Sequence, residues 1–243
     1  MIEVKLVNYT KNPEITVASA ARTCFRDKTY ESICEELKEE DIQRIIKEVI
    51  IKNHLSVLEH INFTFSISGV SRALTHQLVR HRIASYSQLS QQRVDSSGLQ
   101  FTIPPEIQDN SEIVKEYDEA VRNCQEVYKR MVRSGISRGS ARYVLPSCFN
   151  TKIMTTMNAR SLFNLFAQRE CQVEEWEFRK VAHLMHDELM KVSPMIFRYA
   201  GPPCQTHGVC PEGKKLHECG GYLGVIFIAS DKSGVAQLEI ASQ

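Results

Sequence analysis

The chain has 243 residues, 42% hydrophobic and 24% charged, enough for one large domain or two small ones with a real core. With 30 lysines and arginines against 29 acidic residues, the net charge of +1 argues against a broad nucleic-acid surface and favours small anionic ligands held by local basic clusters. No run is long enough to span a membrane, so the expectation is a cytoplasmic chain whose eight cysteines are thiols or metal ligands rather than disulfides.

The start, Met1-Ile2-Glu3-Val4-Lys5-Leu6, alternates charged and apolar residues and lacks the apolar core of a signal peptide. Period-two alternation predicts a strand over Glu3 to Val7, and the small residues of Pro13 to Cys24 predict a helix. Glu40-Asp41 open an amphipathic helix with Ile42, Ile45, Ile46, Val49 and Ile50 on one face. Phe63, Phe65 and Ile67 alternate inward along a strand from Asn62 that Gly69 ends. Ser71 then caps a helix on which Arg72, His76 and Arg80 share a face at i, i+4 and i+8. Pro104-Pro105 break the chain before a long helix over Ser111 to Arg133 and a short one around Ser137 to Tyr143. Thr151 to Asn158 is extended; Ala159 to Arg169 and Val173 to Lys191 are helical. Gly201-Pro202-Pro203 mark a composition change and the expected boundary between a domain over residues 1–200 and an extension over 201–243. That extension ends in apolar runs over Tyr222 to Ala229 and Gly234 to Ile240, spaced as a hairpin.

The densest chemistry is Arg80-His81-Arg82, at the end of an apolar-patterned segment and directly before the polar run to Ser90. Guanidinium forks there suit a phosphate-bearing ligand, against the alternative of a structural ion-pair network. The chain has no Gly-x-Gly-x-x-Gly turn and no phosphate-cradling loop ending in Lys-Ser/Thr. A nucleotide would therefore be held by side chains and ordinary helix termini. His54, Ser56 and Glu59 can bind a ligand's sugar and phosphate groups; for that segment alone, Ser56 as an N-cap with Glu59 completing a capping box is the stronger reading. Beyond Gly201, Cys204, Cys210 and Cys219 with His207 and His217 offer enough donors for tetrahedral zinc. Their Cys-x5-Cys-x8-Cys spacing is not a paired knuckle, and reduced thiols in a closing loop are the alternative.

The run His54 to Ser90 resembles the flavin-dependent thymidylate synthases, whose hallmark of Arg-His-Arg followed some seven residues later by Ser is met by Arg80-His81-Arg82 and Ser90. Ala21-Arg22-Thr23-Cys24-Phe25, Ala141-Arg142-Tyr143-Val144-Leu145-Pro146 and Asn158-Ala159-Arg160-Ser161-Leu162 extend the likeness, in order, over about residues 1–200. The resemblance implies a mixed α/β (α+β) fold with a central, mostly antiparallel sheet flanked by helices. It implies a homotetramer with shared active sites that converts dUMP to dTMP, using FAD, methylenetetrahydrofolate and NADPH. It maps flavin contacts onto His54, Ser56, Glu59, Arg80, His81, Arg82, Ile83, Asn158, Arg160 and Asn164. Nucleotide contacts map onto Gln77, Arg80, Gln88, Leu89, Ser90, Gln91, Arg142 and Arg169, with Arg169, Ser90 and His54 as the catalytic set and Ser90 binding rather than attacking.

Two departures stand out. Gln91-Gln92-Arg93-Val94 carries an extra glutamine and no tyrosine where the family has one residue and then Arg-Tyr. Glu175 stands where a neutral amide is usual. They keep two alternatives open: a flavoenzyme for another pyrimidine nucleotide, and a non-catalytic nucleotide- or metal-binding relative.

Overall fold

A computed structural model describes residues 1–215 and 218–219 in full, and the backbone of Val225–Ser230 and Ala236–Ile240. Four strands form one sheet in the order β1 (Glu3–Tyr9), β2 (Asn62–Ser71), β4 (Asn150–Asn158), β3 (Ser85–Gln88). Its pairs run antiparallel. Thr10 N–H reaches the Asn62 carbonyl while Ser68 bonds Glu3, and Arg72 N–H reaches Phe149 while Ala159 N–H reaches Ile61. At the other edge Leu89 N–H bonds the Lys152 carbonyl. The mostly antiparallel sheet expected from the family likeness is present.

In chain order the α-helices are α1 (Pro13–Thr23), α2 (Tyr30–Glu36), α3 (Glu39–Ile51), α4 (Arg72–Leu78), α5 (Pro105–Gln108), α6 (Ser111–Arg133) and α7 (Arg138–Ala141). After β4 come α8 (Ala159–Arg169), α9 (Trp176–Val192), α10 (Pro194–Phe197) and α11 (Pro203–Thr206); β5 (Val225–Ser230) and β6 (Ala236–Ile240) pair antiparallel, as the predicted hairpin requires. The residues that would turn that hairpin lie outside the described residues.

Most local choices follow the sequence signals. All five predicted α3 apolar positions are buried, and Ser71 caps α4 by accepting from Leu74 N–H at 3.0 Å. Others do not. Gly69 does not end β2: it sits inside the strand at φ +69°, where a Cβ would lie 2.2 Å from the Met1 carbonyl oxygen, so glycine is demanded by a close approach of chain. Helix α4 stops at Leu78, so Arg80 falls beyond it rather than on the Arg72–His76 face. Helix α9 begins at Trp176, because Glu175 caps it, three residues later than the apolar pattern indicated.

Contacts divide the chain into two units interleaved in sequence. One holds Met1–Val4, Ser66–Arg82 and Tyr86–Thr155, and the other Lys5–Phe65, Ile83–Ser85 and Thr156–Gln243. The first packs Tyr128, Phe149 and the apolar face of α4 (Leu74, Leu78) out of water. The second is built on aromatic rings. Phe63 meets Phe197 edge-on at 5.2 Å, Phe166 meets Phe197 at 84°, and Phe63, Phe166 and Phe197 are fully buried.

Candidate active site

In the first unit Arg142 and the buried Gln91 line a cavity of about 310 Å³ together with Arg72, His76 and Ser147. No carboxylate is among its lining residues, so two guanidiniums face one space without a fixed counter-charge. Burial, and then the Arg142 charge, lower the pKa of Arg72, whose Nη1 donates to the Leu89 carbonyl at 3.4 Å. An anion placed there would offset both effects.

The strand β3 aligns the neighbouring positions that the family likeness maps to the nucleotide. Gln88 Nε2 donates to Thr75 Oγ1 at 2.7 Å, and Leu89 is fixed by its N–H on Lys152 and its carbonyl on Arg72. Arg93 and Val94 N–H both bond the Ser90 carbonyl, at 3.1 and 3.0 Å, so Gln91-Gln92-Arg93 closes as one tight turn. The turn points Gln91 into the cavity wall and leaves Gln92 and Arg93 exposed. Arg138 Nη1 donates to the Arg93 carbonyl at 3.1 Å and holds the turn from the α7 side.

Arg80, His81 and Arg82 follow the end of α4. The Tyr86 hydroxyl lies 2.8 Å from both the Leu78 and His81 carbonyls and shares its hydrogen between them; burial pushes its pKa up to about 12. The Leu78 carbonyl, which also accepts from His81 N–H, and the His81 carbonyl thus take a side-chain donor where the helix has stopped. Arg80 and Arg82 are exposed, and Gln77 is half-buried on α4.

In the second unit Glu59, Ile83, Asn158, Arg160 and Asn164 line a cavity of about 580 Å³. Asn158 caps α8 by accepting from Ser161 N–H at 2.8 Å, so the positive end of an 11-residue helix opens on this space. Arg160, one residue into that helix, pairs with Glu59; both are about half exposed. His54 and Ser56 are exposed and are not among the residues lining the cavity. The expected capping box does not form. His54, not Ser56, precedes the 3-10 helix Leu55–His60, and no side chain caps it.

Arg169, the last residue of α8, lines a separate cavity of about 350 Å³ in the same unit. It pairs with Glu174, and its guanidinium lies 4.7 Å from the Phe178 ring centre. The next residue, Glu170, is buried and was not apparent in the sequence: its Oε1 lies 2.8 Å from His186 Nδ1, and His186 Nε2 lies 2.9 Å from the Phe197 carbonyl. His186 stacks on Phe166 at 4.8 Å. Glu175, the departure from a neutral amide, accepts from Phe178 N–H at 3.0 Å as the cap of α9, where a carboxylate complements the helix dipole. Cys204, Cys210 and Cys219 line the Arg169 cavity together with Cys171, a residue the spacing argument passed over. His217 lies outside the described residues, and among those described no three Cys, His or acidic donors stand ready around a metal ion.

Residues 5–195 match the family described as Thymidylate synthase complementing protein. A flavin-dependent thymidylate synthase of Clostridium tetani is 42% identical over 228 residues, 87% of this chain and 91% of the relative. One from Sulfurisphaera tokodaii is 42% identical over 211 residues, 85% and 80% of the two chains. The fold is similar to that of the UMP/dUMP methylase PolB from Streptomyces cacaoi, solved with 5-Br dUMP, at a TM-score of 0.70 and 24% identity over 82% of this chain and 94% of that one. By the span of the family match and the identity to these relatives, the chain belongs to the flavin-dependent thymidylate synthases.

Proposed function

We propose that the protein methylates dUMP to dTMP, with methylenetetrahydrofolate as carbon donor, bound FAD, and NADPH as reductant, in a cytoplasmic homotetramer with shared active sites. Residues 1–200 are the catalytic domain in this reading and 201–243 an extension. The observation that carries it is the chemical sorting of the mapped residues. Nucleotide positions Gln91 and Arg142 line a cationic cavity without carboxylates, whereas flavin positions Glu59, Ile83, Asn158, Arg160 and Asn164 line a larger, mixed one.

The larger cavity suits a flavin nucleotide. At about 580 Å³ it falls within the ~300–1,000 Å³ usual for cofactor sites, and it offers an anion-binding helix end with Arg160 beside apolar walls such as Leu55 and Phe163. Asn158, Arg160 and Asn164 would hold the cofactor, which when bound supplies hydride for reduction of the transferred carbon.

This chain's residues do the placing. Arg142 and Arg72 neutralise a phosphate that carries close to two charges at neutral pH, and Gln91 fixes its register. Gln88, held by Thr75, and Leu89, held by backbone bonds, keep the nucleotide-binding strand rigid. Arg169 is the further arginine that the family likeness assigns to the pyrimidine, where it would stabilise charge developing on the carbonyl oxygens. Ser90 contributes hydrogen bonds.

Purified protein should be yellow and should form dTMP from dUMP only when folate donor and NADPH are both present. Protein with neither bound FAD nor dTMP formation would defeat the reading. Turnover of dCMP in preference to dUMP would move it to a different pyrimidine substrate.

A further inference from the structure

We propose that Cys171, Cys204, Cys210 and Cys219 bind one zinc ion as a four-thiolate site. These four, from separate points of the chain, line the single cavity of about 350 Å³ beside Arg169. All are free thiols, and half of the chain's eight cysteines meet around this space.

The donor set follows from what the other lining groups already do. Glu170 accepts from His186, while Glu174 pairs with Arg169 and accepts from Glu175 N–H. Two of the three carboxylates of the wall are thus engaged, the third, Glu212, is exposed, and sulfur is what remains in quantity. Four thiolates around a divalent ion suit tetrahedral zinc, a closed structural site with no open position for substrate.

Zinc binding by four thiols releases their protons, so its affinity rises with pH. Among the described residues no three donors yet converge on one point, so binding draws the thiols inward from the cavity wall to zinc–sulfur distances of about 2.3 Å. Left-handed glycines at 208 and 213, both at φ +69°, supply tight turns on either side of Cys210.

The thiol set does not rest on the nucleotide reading, although Arg169, which that reading uses, lines the same cavity. The family match ends at residue 195, before Cys204, Cys210 and Cys219. Cys171 lies two residues after Arg169, so zinc would tie the Arg169 segment to a part of the chain outside the matched region.

The test is the metal content of the tetrameric, FAD-loaded protein, a readout that does not depend on dTMP formation. Elemental analysis and native mass spectrometry should find about one zinc per chain that survives gel filtration. Cobalt(II) added to zinc-stripped protein should develop the thiolate charge-transfer and tetrahedral d–d bands of a sulfur-ligated site. Cys171→Ser and Cys210→Ser should lose zinc, and Cys124→Ser should keep it. Folded wild-type protein without zinc, cobalt spectra lacking thiolate bands, or full zinc in Cys171→Ser would each overturn the proposal, even where another variant fails to fold.

Discussion

Replacing Glu170 by Gln probes a buried acid–base pair on which the end of α8 rests. His186 presents Nδ1 to a Glu170 oxygen at 2.8 Å and Nε2 to the Phe197 carbonyl at 2.9 Å. Neither partner can donate to the ring when Glu170 is ionised, so both nitrogens carry hydrogen and the ring is cationic. Burial by itself would lower the His186 pKa. The Glu170 hydrogen bond and charge, with smaller help from the Phe197 carbonyl and Asp187, outweigh it and leave the pKa raised. His183 Nδ1 also faces Glu170, at 3.7 Å.

A raised folded pKa fixes the sign. The stabilisation is complete below the ordinary histidine value of about 6.5 and is lost as pH rises through the elevated folded value. In Glu170→Gln the amide can donate to an unprotonated Nδ1, so a neutral ring is satisfied. Exchanging a charged for a neutral hydrogen bond then costs about 1–2 kcal/mol near pH 6. The pair is little exposed (3% and 19% for the two side chains), so solvent screening removes little of that. At about 2–4 °C per kcal/mol for a chain of this size, the melting temperature should fall by about 2–8 °C. Calorimetry of FAD-saturated protein across the range from about pH 6 to about pH 9 should show the gap closing as wild type loses its ring proton. A deficit that stays constant, or grows with pH, would refute the assignment of a cationic His186.

Arg142→Gln should raise the KM for dUMP by about 10- to 150-fold, the worth of one charge-assisted hydrogen bond to phosphate, with a smaller change in kcat; equal KM values would remove Arg142 from the phosphate site. Arg160→Ala should weaken FAD retention by about tenfold or more, read as flavin per chain after gel filtration. Phe63→Ala removes a fully buried ring stacked edge-on against Phe197 and should cost about 3–5 kcal/mol in denaturant unfolding. Glu175→Ala should cost about 1 kcal/mol by uncapping α9 while leaving dUMP turnover near wild type; a large loss of turnover with unchanged stability would assign Glu175 a role toward substrate.

Long periodic segments were legible because one local rule decided them. Helix α6 spans the predicted Ser111–Arg133, and the alternating phenylalanines of β2 are fully buried. Short elements were not. Strand β3 has four residues, Ser85-Tyr86-Ser87-Gln88, whose polar alternation resembles a loop until Leu89 pairs with Lys152 far along the chain. The Glu170–His186 pair had no signature either: sixteen residues separate two ordinary polar side chains on different helices, and only tertiary packing joins them. The candidate site residues stand out as a set through the motifs, but which of them line one of the three cavities and which line none was not legible, because a motif records which residues occur and not which space each side chain enters.

The end of α4 shows how such a division of labour is made. Helical spacing puts Arg72, His76 and Arg80 on one stripe, and a longer helix would have aimed all three into one space. Tyr86 instead takes the Leu78 and His81 carbonyls, the helix stops at Leu78, and the chain carries Arg80 and Arg82 past the stripe. Arg72 and His76 stay behind with Arg142 and Gln91 around a cavity free of carboxylates. A hydroxyl six residues after Arg80 thus separates Arg72 and His76 from Arg80 and Arg82, which lie close by in sequence. In the proposed function, that separation would leave one group to meet the substrate phosphate and Arg80-His81-Arg82 to meet a second anionic ligand.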